Sequence, residues 1–260
     1  MSDSLRGAGL HHHPAPSYGV GPHYPTPLHE YAAAGKSSGP VVSKWVHYLE
    51  AYERHFTRFR GTPAVLVEIG IKDGGSFPLW RRYFGDAATL IGADIYEGSA
   101  AIQGDPRYGS PSRIVVGDQG TEAFWENIVR ALPNGTMDIL IDDGSHRDQH
   151  MIMSLEKSLP LLRPGGVYIC EDIHGAGNGF FKYLTDRFVY NATQEPTPSR
   201  AATKARLAPF YWGAKTTLNA FNTGTRIVPN KDQAEIFALT LYPYMAVVEK
   251  MISNGMPGFE

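Results

Sequence analysis

Five short apolar runs, separated by stretches in which apolar residues recur every third or fourth position, organise the chain up to residue 172. The runs are Ala64-Val-Leu-Val-Glu-Ile69, Thr89-Leu-Ile-Gly-Ala-Asp-Ile95, Arg113-Ile-Val-Val-Gly-Asp-Gln119, Met137-Asp-Ile-Leu-Ile141 and Val167-Tyr-Ile-Cys170. Their length and nearly continuous apolar character predict strands buried on both faces of a parallel sheet. Between them, helical stripes are predicted over Val42 to Phe59 (Val42, Trp45, Val46, Leu49, Tyr52, Phe56, Phe59), through Tyr83, through Phe124, Ile128 and Leu132, and through Met151, Leu155, Leu159 and Leu162. Thr121 is expected to cap the third of these, and Arg163-Pro-Gly-Gly166 to turn into the fifth strand. Strand and helix in alternation specify an α/β fold, a doubly wound, mostly parallel, Rossmann-like sheet. Ala234 to Leu241 and Met245 to Lys250, joined through Tyr242-Pro-Tyr244, predict a C-terminal antiparallel hairpin at its edge.

Two segments break the pattern. Residues 1–40 are rich in Gly, Pro, Ser, His and Tyr without a sustained period and are expected to be a flexible arm, with His11-His12-His13 part of that tail. Residues 41–260 are expected to form a single domain. Within it, 173–229 is a long insertion after the fifth strand that carries Gly175, Gly177, Gly179, Pro196 and Pro198 among basic and aromatic residues. A connection of that length suggests a lid, with one helix on the stripe Leu207, Phe210, Tyr211, Ala214, Leu218 and Phe221.

Composition narrows the class. With 260 residues, 42% hydrophobic and 19% charged, the chain suits one sizeable globular domain, and a formal net charge of −2 with no basic stripe argues against nucleic acid as a partner. The single cysteine, Cys170, falls inside a predicted strand, where it acts as a small buried hydrophobe. No run approaches the roughly 20 apolar residues of a membrane span, and the N-terminus lacks a signal-peptide pattern, so no membrane partner and a cytoplasmic location are expected.

Candidate chemistry gathers where predicted strands end, because ligands of open α/β sheets sit outside the carboxyl ends of the strands. The first strand runs into Gly70-Ile-Lys-Asp-Gly-Gly-Ser76, a glycine turn of the kind that lets backbone approach a nucleotide. Asp94 ends the second strand about 20 residues after Gly74, where a carboxylate accepts the hydroxyl protons of a ribose. Asp118 and Gln119 at the third tip suit the edge of an adenine ring. The fourth and fifth tips are Ile141-Asp-Asp-Gly-Ser-His146 and Cys170-Glu-Asp172. Oxygen ligands at paired tips suit a hard cation such as Mg²⁺, and a histidine beside them can move a proton; capping and solvated-loop roles compete with both.

Taken together, Val67-Glu-Ile-Gly70, Gly117-Asp-Gln119, Ile141-Asp-Asp-Gly-Ser-His146, Leu162-Arg-Pro-Gly-Gly-Val-Tyr168, Glu171-Asp172 and Val247-Val-Glu-Lys250 make the chain resemble class I S-adenosylmethionine-dependent methyltransferases. Within them it resembles the metal-dependent sugar O-methyltransferases of the mycinamicin, macrocin and rhamnosyl group. The resemblance implies that Asp143, Glu171 and Asp172 hold Mg²⁺, with His146 as general base and Asp143 essential beside it. It implies that Glu68, Gly70, Ser76, Asp94, Asp118, Gln119 and Asp142 border the cofactor. The expected function is O-methylation of a small-molecule hydroxyl, on a sugar or glycosylated natural product, by a homo-oligomer. A catechol or phenol acceptor, a nicotinamide-dependent oxidoreductase and a non-catalytic cofactor-binding scaffold are the alternatives. The Ile-Lys-Asp-Gly-Gly form of the glycine loop, the arm before residue 40 and the stretch Ile173-His-Gly-Ala-Gly-Asn178 depart from the group's pattern.

Overall fold

The computed structural model describes residues 28–30, 42–174, 179–190 and 235–252, with the side chains of 189–190 left out. The histidines at 11–13 and the helix expected around 207–221 lie outside the described residues. Seven strands form one mixed sheet in the order β3-β2-β1-β4-β5-β7-β6, the doubly wound arrangement with an antiparallel C-terminal pair. The chain divides into two compact units between Met137 and Asp138.

In the first unit, β1 (Val65–Ile69), β2 (Thr89–Asp94) and β3 (Arg113–Val116) are parallel, with Val65 opposite Thr89 and Ile91 opposite Arg113. Every residue of β1 is buried. The helical stripe after residue 42 becomes α1 (Val46–Phe56), and the stretch after the glycine loop becomes α2 (Phe77–Phe84). Pro78 stands in the first turn of α2, where its missing N–H costs nothing, and Gly85 ends the helix in a conformation open to glycine (φ 85°). Tyr52, Phe56, Trp80 and Phe84 interlock α1 and α2; Tyr52 and Phe56 meet Trp80 edge-on at 5.2 and 6.0 Å. All four rings are buried, a contribution of about 1.5–3 kcal/mol each by transfer from water. α3 (Glu122–Ala131) begins as expected at Thr121, whose hydroxyl accepts from the Phe124 N–H at 3.4 Å.

In the second unit, β4 (Met137–Asp142), buried along its length, leads to α4 (Asp148–Ser158), β5 (Leu162–Cys170), α5 (Gly179–Thr185) and the hairpin of β6 (Ile236–Tyr242) and β7 (Met245–Lys250). β7 is antiparallel to both β5 and β6, with Val167 opposite Glu249 and Tyr242 opposite Met245. The fifth strand starts earlier than its apolar run predicts. Leu162 is the first residue of β5 and not the last of the helical stripe, although Leu159 and Leu162 are both buried. The reason is tertiary: the Gly165 N–H donates to the Met251 carbonyl beyond β7, and the Lys250 ammonium donates to the Leu159 and Leu162 carbonyls. Those bonds draw Arg163-Pro-Gly-Gly166 into the start of β5, although Gly165 keeps the left-handed conformation (φ 77°) of the expected turn. Among the described residues no helix is long and apolar enough to cross a membrane.

Candidate functional site

At the carboxyl end of β1 the chain rises into the glycine loop. Gly74 has φ +71°, a conformation that favours glycine, and a Cβ there would lie 2.6 Å from the movable Ile102 Cδ1. Asp94, at the end of β2, accepts the Lys72 N–H at 2.7 Å on one oxygen and the Tyr96 N–H at 2.9 Å on the other. Lys72 itself sits in the left-handed region (φ 49°), so this carboxylate clamps a strained loop. A carboxylate offers about four acceptor positions, and Asp94, half-buried, keeps capacity for a diol. At the end of β3, Asp118 is exposed and accepts the Gly120 N–H at 2.9 Å; Gln119 is buried, its carbonyl accepting from Trp125 Nε1 at 2.8 Å. Gly70 donates its N–H to the Ala93 carbonyl at 2.8 Å, tying the loop's start to β2. Glu68 and Ser76 are buried and joined: the Ser76 hydroxyl donates to Glu68 Oε2 at 2.5 Å, as does Trp80 Nε1 at 2.9 Å. Lys44, missed in the sequence, pairs with Glu68 Oε1 at 3.1 Å.

The second unit brings two of the three expected metal ligands, Asp143 and Asp172, together with the expected base, His146. One donor atom each from Asp143, His146 and Asp172 lies within 4.8 Å of the others, and His146 Nε2 is 3.9 Å from Asp143 Oδ1. The carboxylates come from the tips of β4 and β5, whose ends are joined by the Glu171 N–H donating to the Asp142 carbonyl at 2.8 Å. Glu171, expected to share the metal, is 1% exposed and lies outside that group. Asp142 is equally buried; its Oδ1 accepts the Gly144 N–H at 3.3 Å and its Oδ2 the Tyr168 hydroxyl at 3.3 Å. The Tyr168 hydroxyl also donates to the Met151 carbonyl, and burial first, then the nearby Cys170 and Asp142, pushes its pKa well up. Burial and the Asp142 charge likewise raise the Cys170 thiol, which keeps it protonated and inert.

Backbone strain concentrates here. His146 (φ 55°) and Asp172 (φ 51°) are both left-handed non-glycine residues, and so is Tyr244 (φ 61°) in the β6–β7 turn. Such conformations cost about 1–3 kcal/mol each and persist where surrounding structure imposes them, often at ligand sites. Tyr244 is tied in by its carbonyl, which accepts the Ile173 N–H at 2.9 Å. Its ring is 5.1 Å from that of His174, which is 6.5 Å from that of His146. Neither His174 nor Tyr244 stands out in the sequence; the turn and the strand tip meet only in the fold.

The two half-buried carboxylates, Asp143 and Asp172, fit a hard divalent cation that retains water, and the exposed His146 imidazole beside them is placed to move a proton. The glycine loop and the aligned Asp94 fit a ribose-bearing ligand.

Residues 67–173 match the family model described as a methyltransferase domain. The 8-demethyl-8-alpha-L-rhamnosyl tetracenomycin-C 2'-O-methyltransferase of Streptomyces olivaceus is 37% identical over 139 residues, 50% of this chain and 34% of that protein. Demethylmacrocin O-methyltransferase of Streptomyces fradiae is 35% identical over 145 residues, 51% of this chain and 34% of that protein. The chain thus spans about a third of the length of these curated relatives. Among solved structures, the MycE methyltransferase from the mycinamycin biosynthetic pathway, in complex with Mg and SAH, shares the fold with a TM-score of 0.58 and 24% identity, covering 89% of this chain and 57% of that one.

Proposed function

We propose that this chain, whose residues 67–173 match a methyltransferase domain, transfers a methyl group from S-adenosylmethionine to a hydroxyl of a small molecule, a sugar or a glycosylated natural product. The observation that carries the proposal is the convergence of Asp143, His146 and Asp172 donor atoms within 4.8 Å at the ends of β4 and β5. Two curated relatives are named as O-methyltransferases, one of a rhamnosyl group, which supports the sugar-directed reading.

Asp143 and Asp172 would hold Mg²⁺, with Glu171, buried beside Asp172, as the third carboxylate that the family pattern suggests. When bound, the metal lowers the pKa of a coordinated hydroxyl, and the sulfonium cofactor supplies the methyl group. His146 would accept the hydroxyl proton on its imidazole, freeing the oxygen for the methyl group that the cofactor would supply. Asp143, 3.9 Å from His146 Nε2, sets the imidazole beside the carboxylates. In the first unit, Gly70 and Ser76 shape the cofactor loop, Asp94 receives the ribose hydroxyls, and Asp118 and Gln119 face the base. His174 and Tyr244 are proposed to wall the acceptor beside His146, where tilted aromatic faces suit the C–H face of a pyranose ring.

Calorimetric titration with S-adenosylmethionine and then Mg²⁺, on wild type and Asp143→Ala, tests the proposal. Cofactor binding by both proteins with metal binding lost in the variant is the expected result. Cofactor binding without any metal binding would remove the Mg²⁺ mechanism, and no cofactor binding would remove the methyltransferase reading. With turnover established, methyl α-L-rhamnopyranoside and catechol as acceptors separate sugar from phenol chemistry.

A further inference from the structure

Few charged groups in the described chain are as deeply enclosed as the Lys44–Glu68 pair: Nζ and Oε1 are 3.1 Å apart, and the side chains are 4% and 1% exposed. The other oxygen of Glu68 receives the Ser76 hydroxyl and Trp80 Nε1. The carboxylate therefore sits between an ammonium and the last residue of the glycine loop. An unpaired ionised carboxylate at this depth would be strongly unfavourable, and a protonated one would be a weaker acceptor for Ser76.

We infer that Lys44 is a positioning residue for the cofactor loop: its ammonium pairs with the buried Glu68 carboxylate, and Glu68 in turn holds Ser76 and the start of α2 in the shape that binds the cofactor. Lys44 is placed for this by the fold. It immediately precedes Trp45, the N-cap of α1, and α1 is locked onto α2 through Tyr52, Phe56 and Trp80. The same Trp80 that fills this aromatic cluster donates to Glu68, so the packing of α1 and the loop geometry are one structure. Lys44 lies upstream of the matched domain, which begins at residue 67, so the domain's first acidic residue is completed by a side chain from outside it.

This inference rests on the proposed assignment of the glycine loop to S-adenosylmethionine. Its test is calorimetric titration of the full chain with S-adenosylhomocysteine, on wild type, Lys44→Met, Lys44→Arg, Glu68→Gln and the Lys44→Met/Glu68→Gln double variant. Near-UV circular dichroism identifies the temperature range in which each is folded. Lys44→Met and Glu68→Gln are each expected to bind about tenfold or more weakly, because loss of one partner of a buried pair is penalised strongly. The double variant is expected to be no weaker than the worse single, since both act through one coupled pair. Lys44→Arg, keeping the charge, is expected to bind more tightly than Lys44→Met. A purely structural role would lower the melting temperature and leave affinity of the folded protein unchanged. A folded Lys44→Met with affinity within about twofold of wild type overturns the inference. Should Lys44→Met not fold, the double variant, which buries no unpaired charge, decides the matter, and wild-type affinity in it overturns the inference equally. Absence of binding in wild type would instead remove the cofactor assignment itself.

Discussion

At the residue scale, the proposed chemistry places most of its weight on His146. Its left-handed backbone and its 3.9 Å approach to Asp143 set the imidazole beside the carboxylates. His146→Ala is expected to lower turnover by about 10²–10⁴-fold, the usual worth of a positioned base, while calorimetric affinity for S-adenosylmethionine stays near wild type. Turnover within a small factor of wild type would show that the proton leaves by another route. Tyr168 works behind this group: its buried hydroxyl donates towards Asp142 and the Met151 carbonyl. Tyr168→Phe leaves both acceptors short of a donor, so urea unfolding should show a loss of about 1–3 kcal/mol. The identity of these acids and of His146 was legible because strand tips can be read from apolar runs. The separation of roles was not: Asp142 and Glu171 are neighbours of Asp143 and Asp172 in sequence, yet both are buried while the other two are half-buried in the donor group. The pleat alternates adjacent residues between environments, and composition alone does not say which of a pair faces which.

At the element scale, short segments are held by contacts from distant parts of their own unit. The two oxygens of Asp148, in the first turn of α4, accept the N–H groups of Gly179 and Phe180 at 2.9 and 3.3 Å, capping α5 from another helix. Asp148→Ala should therefore raise amide hydrogen exchange at Gly179 and Phe180, at a stability cost of about 1 kcal/mol, typical of a lost helix cap. Unchanged exchange there would mean the cap is dispensable. In the glycine loop, Gly74→Ala must carry a Cβ into Ile102 in a left-handed conformation. A loss of about 1–3 kcal/mol and a weaker cofactor affinity are expected, read by thermal melting and calorimetry. The periodicities predicted the strands and α1 to α4 to within a few residues at most boundaries, whereas α5 falls in the stretch read as a lid, where a helix was expected only further on. β5 is the exception, since Lys250 and Met251 extend it from the far end of the chain.

For the whole molecule, burial of ionisable tyrosines sets a limit at high pH. Burial, aided by Glu53 and opposed by Thr57 and Arg60, raises Tyr83 from 10.0 to about 12, and burial pushes Tyr168 up as well. The folded protein thus keeps protons that the unfolded chain releases. This contribution is fully present below pH 10 and is lost as pH rises through about 12. Stability measured by urea unfolding should therefore fall across that window. Tyrosinate absorbance from these residues should appear together with unfolding and not before it; early ionisation in a folded protein would contradict the burial.

The sequence by itself determined the alternation of buried strands and amphipathic helices, the antiparallel closing pair, and the acidic tips at β4 and β5. Each of these is local: a few consecutive residues carry the period, and the rule that ligands gather at strand ends turns order into position. Only the tertiary structure decided which carboxylates are enclosed and which join His146, that the ring of Tyr244 reaches His174, and that Glu68 is paired with Lys44. Those outcomes depend on packing between residues far apart in the chain, where burial changes what a charge costs and therefore what it can do.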